Sequence, residues 1–191
     1  DILKAKRPRG YILENVRHLL KHDDGKTLQI ICDELRSIGY SVEYKVLKAS
    51  DFGIPQHRPR IFIVGFDEKS MNKSMPYLWP KERPLKMDMS DILGGKCDRE
   101  IGFTLRVGGR GSGIDDRRNW DAYRVNGEVV IISPRQGLKM MGFPDHFVLP
   151  NNLTQSMKQL GNSVCVDVVH AVAEEVIYCL DKNVMKNSGQ D

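Results

Sequence analysis

Two short stretches of this chain carry residue types that can do chemistry together. One is Leu13-Glu14-Asn15-Val16, a carboxyl and a carboxamide that end the apolar run Tyr11-Ile12-Leu13. The other is Gln56-His57-Arg58-Pro59-Arg60, which sets two arginines two residues apart just before Ile61-Phe62-Ile63-Val64-Gly65-Phe66. Short buried strands with polar groups at one end are how an α/β sheet builds a site along one edge. A carboxyl and two guanidiniums converging there can read the edge of a planar polar heterocycle, and strand alternation expects Arg58 and Arg60 on one face. Each stretch has a plainer alternative when taken alone: a strand-end glutamate capping its own loop, and a solvated arginine pair. The order and spacing of the two carry the weight.

The elements that would position these residues follow from periodicity. Residues 11–16 read as a strand, and 17–25 as a polar loop turning at Asp23-Asp24-Gly25. Residues 26–38 form an amphipathic helix with Leu28, Ile31, Leu35 and Ile38 on one stripe, closed by Gly39. An alternating strand over 41–49, a loop over 51–55 and a buried strand over 60–66 complete one piece of a layered α/β sheet. From 67 to about 131 the periodicity weakens. Pro76, Pro80 and Pro84 punctuate it, and Asn126-Gly127 between apolar residues is a hairpin signal. This is the texture of a small, loop-rich second lobe. The glycine run from 108 to 113 is no nucleotide-binding loop, because Asp115-Asp116-Arg117-Arg118 follows where an apolar helix would be needed. Helical texture returns with Ser133 as cap and Pro134 in the first turn. A further short helix over 151–160 and a long one over 164–180 follow Gly142, with Gly161-Asn162-Ser163 at the start of the last. The expected organisation is 1–66, 67–132, 133–181 and a polar, frayed tail at 182–191.

The 191 residues suffice for one domain or one and a half. With 40% hydrophobic and 28% charged residues the chain buries a core, and a net charge of +4 permits a polyanionic partner without demanding one. No apolar run approaches the ~20 residues of a membrane span, and the first residues lack the apolar core of a signal peptide. Cys32, Cys97, Cys165 and Cys179 are scattered without a Cys-x-x-Cys, which argues against disulfides and a zinc site and for a reducing, intracellular compartment. No metal is expected. Residues 1–6 read as a helix end broken at Pro8, so further protein is expected upstream, in the same polypeptide or in a separate chain.

Four motifs stand in a fixed order: Glu14-Asn15-Val16; Gln56-x-Arg58-x-Arg60; Pro134-Arg135-Gln136 with Gly142-Phe143-Pro144; and Gly161-Asn162-Ser163-Val164. Together they resemble the C-terminal portion of a cytosine-5 DNA methyltransferase of the bacterial restriction–modification type. His22-Asp23-Asp24-Gly25-Lys26-Thr27 and Asp51-Phe52-Gly53-Ile54-Pro55-Gln56 resemble that family too. The resemblance implies part of a Rossmann-like, S-adenosylmethionine-dependent methyltransferase sheet plus a target-recognition lobe. It also implies double-stranded DNA as partner, no membrane, and a place in the bacterial cytoplasm, associated with the nucleoid through DNA. In that family a Phe-x-Gly-x-Gly loop holds the cofactor and a Pro-Cys supplies the nucleophile, both before the Glu-Asn-Val. Neither is present here, so an N-terminal portion carrying them is expected as the partner. Gln136 stands where the family usually has glutamate, with little functional effect expected.

By this resemblance the catalytic residues are Glu14, against the ring nitrogen and amine of a flipped cytosine, Arg60, donating to the base carbonyl, and Arg58, supporting the loop or touching the nucleic-acid backbone. Asn162, Ser163 and Val164 would contact S-adenosylmethionine, since a helix start offers free N–H groups to a carboxylate; a plain helix cap is the alternative. Arg106, Arg110, Arg117 and Arg118 would contact DNA phosphates or base edges, against the alternative of a solvated loop with local Asp–Arg pairs. Asn15, Gln56 and Arg135 would be structural, and Trp120 and Tyr123 would pack inside the small lobe. The competing functional reading is a catalytically inactive, sequence-specific DNA-binding module. A third, an unrelated α/β nucleotide-binding domain, makes the four ordered motifs a coincidence.

Overall fold

In β3 (Pro59–Phe66), every residue from Ile61 to Phe66 is buried, as a strand covered on both faces requires. A computed structural model describes residues 1–71, 76–108 and 111–187, without side chains beyond 182. It places β3 in the middle of a three-stranded sheet, between β1 (Gly10–Val16) and β2 (Glu43–Lys48), in the order β1-β3-β2. β1 and β3 are antiparallel, with Leu13 opposite Ile63, Asn15 opposite Ile61 and Val16 opposite Arg60. The end of β1 therefore meets the start of β3.

The chain divides into two compact units: Asp1–Leu47 with Pro59–Lys81 and His170–Asp191, and Lys48–Arg58 with Glu82–Val169. These bounds differ from the sequence-based division, because residues 48–58 join the second unit although they lie between two strands of the first.

In the first unit, α1 (Ile2–Lys6) precedes the sheet and α2 (Lys26–Ser37) packs on it. Leu28, Cys32 and Leu35 of α2 are buried at helical spacing, in one cluster with Tyr11, Leu19, Tyr40, Ile61 and Ile63. Arg7, left-handed at φ 44°, carries its guanidinium to the Ile38 carbonyl and the Asp67 carboxylate and over the Tyr40 ring at 4.7 Å. Gly65 is required where it stands: a Cβ there would lie 2.5 Å from the Tyr11 hydroxyl.

The second unit holds α3 (Met89–Leu93), the hairpin β4 (Ala122–Val125) and β5 (Glu128–Ile131), α4 (Pro134–Met140), α5 (Leu153–Asn162) and the start of α6 (Val166–Asn187). The hairpin turns on Asn126 (φ 51°) and Gly127 (φ 88°), the pair of positive φ values that an Asn-Gly turn needs. Trp120, Tyr123, Leu105, Leu138, Met140 and Met141 are buried at its centre. Ser133 caps α4 in a reciprocal box with Gln136, whose side chain takes the Ser133 N–H at 2.8 Å. A glutamine serves that box as a glutamate would. Two expectations are corrected. The segment 162–164 does not open a helix: Asn162 ends α5, Ser163 is its extended C-cap, and α6 begins only at Val166. The last helix does not end at 180, since α6 continues to Asn187.

Candidate active site and nucleic-acid interface

The antiparallel register explains the first cluster. Glu14, Val16, Arg60 and Phe62 share one face of the β1–β3 pair, so Glu14 and Arg60 are diagonal neighbours. Arg60 Nε lies 3.0 Å from Glu14 Oε1, and the two side chains are 15% and 23% exposed. Arg60 also donates from an Nη to the Pro59 carbonyl at 2.9 Å, which fixes the plane of its guanidinium. Asn15 turns its side-chain oxygen onto the Val16 N–H at 2.8 Å and so holds the bend where β1 ends. A half-buried carboxylate and guanidinium, oriented by backbone before any ligand arrives, form a polar edge that can meet a flat heterocycle.

Gln56 and Arg58 do different work. Gln56 is fully buried; its amide donates to the Met140 carbonyl at 2.6 Å and its oxygen accepts from Leu105 N–H at 3.0 Å. Arg58 is 3% exposed and donates to three carbonyls: Leu105 at 3.0 Å, Gly161 at 2.9 Å and Ser163 at 2.5 Å. The strand begins at Pro59, so alternation does not extend back to Arg58, and the face shared with Arg60 is not realised. The catalytic expectation for Arg58 is thus revised: its donors go to the chain's own backbone, where they tie the segment after Phe103 to the end of α5. Gly161 completes this junction, because a Cβ there would sit 2.7–2.9 Å from the backbone of Arg106 and Val107. Sequence reasoning missed the partners because they are carbonyls, which carry no residue signature. The glycine of Gly161-Asn162 was the visible sign of close backbone approach.

Around the cofactor candidates, the Ser163 hydroxyl donates to the Leu160 carbonyl at 2.9 Å, the Val166 N–H donates to the Met141 carbonyl, and the first turn of α6 carries Asp167, ion-paired with Lys86. The first turn of α6 thus already carries a carboxylate of its own. What the segment offers outward is the exposed carboxamide of Asn162 beside the half-buried Val164. Arg135 donates to the Asp145 carbonyl at 2.6 Å.

Of the loop arginines, Arg106 and Arg117 are exposed. Arg118 is held by Asp116 through Nε at 3.1 Å and Nη2 at 2.7 Å. The Arg118 side chain, with its backbone N–H, keeps the Asp116 carboxyl down at about 2. Arg110 lies outside the described residues. Trp120 Nε1 donates to the Gly108 carbonyl at 3.0 Å, and Asp121 accepts from Gly111 N–H at 3.0 Å, so the loop's ends are pinned to the buried part of the unit. Burial pushes the Cys32, Cys97 and Cys179 thiols up, so none of the three is an activated thiolate.

Comparison with known proteins gives this geometry its class. Residues 1–107 and 124–178 match the model of the C-5 cytosine-specific DNA methylase family. The type II methyltransferase M.SsoII of Shigella sonnei is 33% identical over 211 residues, covering 94% of this chain and 56% of that protein. M.NlaX of Neisseria lactamica is 35% identical, covering 92% of this chain and 64% of that protein. The chain belongs to the C-5 cytosine-specific DNA methylase family, and it spans little more than half the length of the curated relatives it matches. Two solved structures share its fold. They are a Spodoptera frugiperda DNMT2 mutant (TM-score 0.67, 16% identity, 88% of this chain and 66% of that one) and a putative prophage-encoded DNA modification methyltransferase of E. coli (0.62, 18%, 94% and 72%). The architecture is therefore part of the α/β methyltransferase fold.

Proposed function

We propose that this chain is the base-holding portion of a DNA (cytosine-5-)-methyltransferase that modifies a flipped cytosine within a specific double-stranded site, in the bacterial cytoplasm at the nucleoid. The observation that carries the reading is the Glu14–Arg60 pair at 3.0 Å, oriented by the β1–β3 register. Cytosine C5 is too poor a nucleophile to take a methyl group unaided. A thiolate adds to C6, and the electron pair of the C5–C6 double bond becomes available at C5 while charge builds toward N3 and O2. When it carries a proton, the Glu14 carboxyl donates to N3 and accepts from the exocyclic amine with its other oxygen, and Arg60 donates to O2, so both stabilise that charge without reorganising. S-adenosylmethionine supplies the electrophilic methyl group. Loss of the C5 proton and expulsion of the thiolate then restore the double bond.

The 191 residues hold no Pro-Cys, and we assign the nucleophile and the main cofactor loop to an N-terminal portion of the same enzyme. Asn162 and Val164 are assigned to the cofactor: an exposed carboxamide is chemically suited to a polar edge of it, and Arg58 fixes the backbone on which Asn162 sits. Ser163 and Arg58 are positioning residues. Arg106, Arg110 and Arg117 are assigned to DNA, with Arg118 the least available of the four because Asp116 holds it.

The test uses these residues together with the sequence bearing Pro-Cys and measures transfer of a labelled methyl group at saturating DNA. Glu14→Gln is expected to cut turnover by ~10²-fold or more, as loss of one preorganised group does, with DNA affinity little changed. Near-normal turnover overturns the assignment.

A further inference from the structure

Immediately after Glu14-Asn15-Val16 the chain makes a 3-10 turn, Arg17–Leu20. Its Leu19 is buried in the core cluster of the first unit and Leu20 packs partly against it, while Arg17, His18 and Lys21 stay exposed. Arg17, His18, Leu20 and Lys21 line a cleft of about 370 Å³. Three of the four carry basic groups, all three are exposed, and no acidic residue contributes to the lining. The segment that follows is fixed as well. Asp23, Asp24 and Gly25 stand in succession at φ 49°, 52° and 88°, a strained left-handed run for the two aspartates. This run folds His22 back so that its Nδ1 meets Thr27 Oγ1 at 2.7 Å, with the His18 and His22 rings edge-to-face at 6.2 Å. Asp23 is drawn away to Lys26, at 3.7 Å.

We propose that this cleft is a binding site for a phosphodiester of the DNA backbone, next to the nucleotide whose base Glu14 holds. The inference rests on the base-holding reading of Glu14 and adds a partner for residues no motif claimed. Arg17 is three residues beyond Glu14, so their Cα atoms lie within ~10 Å of each other, the scale of a single nucleotide. A group held at Glu14 by its base edge presents its backbone at that range. The lining supplies the cations Arg17 and Lys21, and the His18 ring is engaged edge-to-face with His22, which favours phosphate over a stacked base. Contacts of this kind position the strand without reading sequence.

The experiment measures duplex affinity of the complete enzyme by fluorescence anisotropy across a salt series, on the cognate duplex and on one of scrambled sequence. Each phosphate contact contributes ~0.9 to the slope of log K against log salt. Arg17→Ala and Lys21→Ala are each expected to lower that slope by ~0.9 on both duplexes, and Lys21→Arg to restore it. Lys45→Ala, which removes an exposed charge on β2, is expected to leave the slope unchanged. An unchanged slope in Arg17→Ala and Lys21→Ala overturns this site alone. An equal fall in Lys45→Ala also overturns it, by showing only a general charge effect. A complete enzyme that binds neither duplex overturns both this site and the methyltransferase reading. Because all three side chains are exposed, unchanged thermal midpoints are expected and are checked alongside.

Discussion

Replacing Arg58 by alanine tests the division of labour between the two arginines. The side chain is 3% exposed and makes three charge-assisted hydrogen bonds, to Leu105, Gly161 and Ser163. Bonds of this kind contribute ~1.5–3 kcal/mol each, which sets a ceiling of roughly 4.5–9 kcal/mol. The guanidinium regains its hydration in the unfolded state, so the net cost falls near that of breaking a buried ion pair, about 3–5 kcal/mol. For a chain of this size each kcal/mol lowers the thermal midpoint by ~2–4 °C, giving a fall of roughly 6–20 °C. Urea unfolding and calorimetry measure it, with methyl transfer assayed well below the midpoint. Arg58→Lys keeps the charge but not the planar fork, and one ammonium does not span carbonyls from two segments, so an intermediate loss is expected. The reasoning is refuted if Arg58→Ala stays within ~0.5 kcal/mol of the parent, the range of an ordinary surface change. It is also refuted if stability holds while turnover collapses, because Arg58 would then act on substrate.

Three further outcomes are expected. Gly65→Ala forces a Cβ against the Tyr11 hydroxyl and the Ser41 carbonyl and should cost about 1–3 kcal/mol by overpacking, read as a lower urea midpoint with unchanged activity per folded molecule. Asp116 has its pKa depressed to about 2 by Arg118, so any stabilisation it gives is present above the unfolded value near ~4 and is lost as pH falls through about 2. Carboxyl-carbon NMR checks this, and Arg118→Ala should return the titration to the ordinary range. Arg106→Ala or Arg117→Ala should relax sequence preference by roughly 1–3 kcal/mol at one base pair, measured as methylation rates on single-base variants; an equal loss on every sequence would make them phosphate contacts.

What was legible in the sequence was local. The stripe of Leu28, Leu35 and their neighbours gave α2, the apolar run after Arg60 gave β3, Asn126-Gly127 gave the hairpin, and Ser133-Pro134 gave the start of α4, because each signal lies within one turn or one pleat. The pairing of Glu14 with Arg60 was half legible: both residues stood out, but their meeting depends on an antiparallel register that neither strand declares. The end of α5 was misread for a related reason. Gly161 was expected at the start of the last helix, yet it sits inside α5, where the backbone of Arg106 passes too close for a side chain. Close approach of two backbones is a tertiary fact, and a glycine signals that something is close without saying what.

The five residues from Gln56 to Arg60 make the same point about chemistry. Gln56 and Arg58 belong to one compact unit and Arg60 to the other. Pro59 stands between them as the first residue of β3, the position in a central strand where its missing N–H does least harm. Its ring also holds Arg58 out of the helical region, and the Arg58 carbonyl accepts from Ala49 N–H at 3.3 Å. Two guanidiniums two residues apart thus meet opposite fates. One is buried among carbonyls that offer partial charges, which suits a group that must never move. The other faces a single carboxylate at a partly open strand end, where a ligand can join the pair. Burial and partner type separate the two arginines, and sequence spacing alone does not.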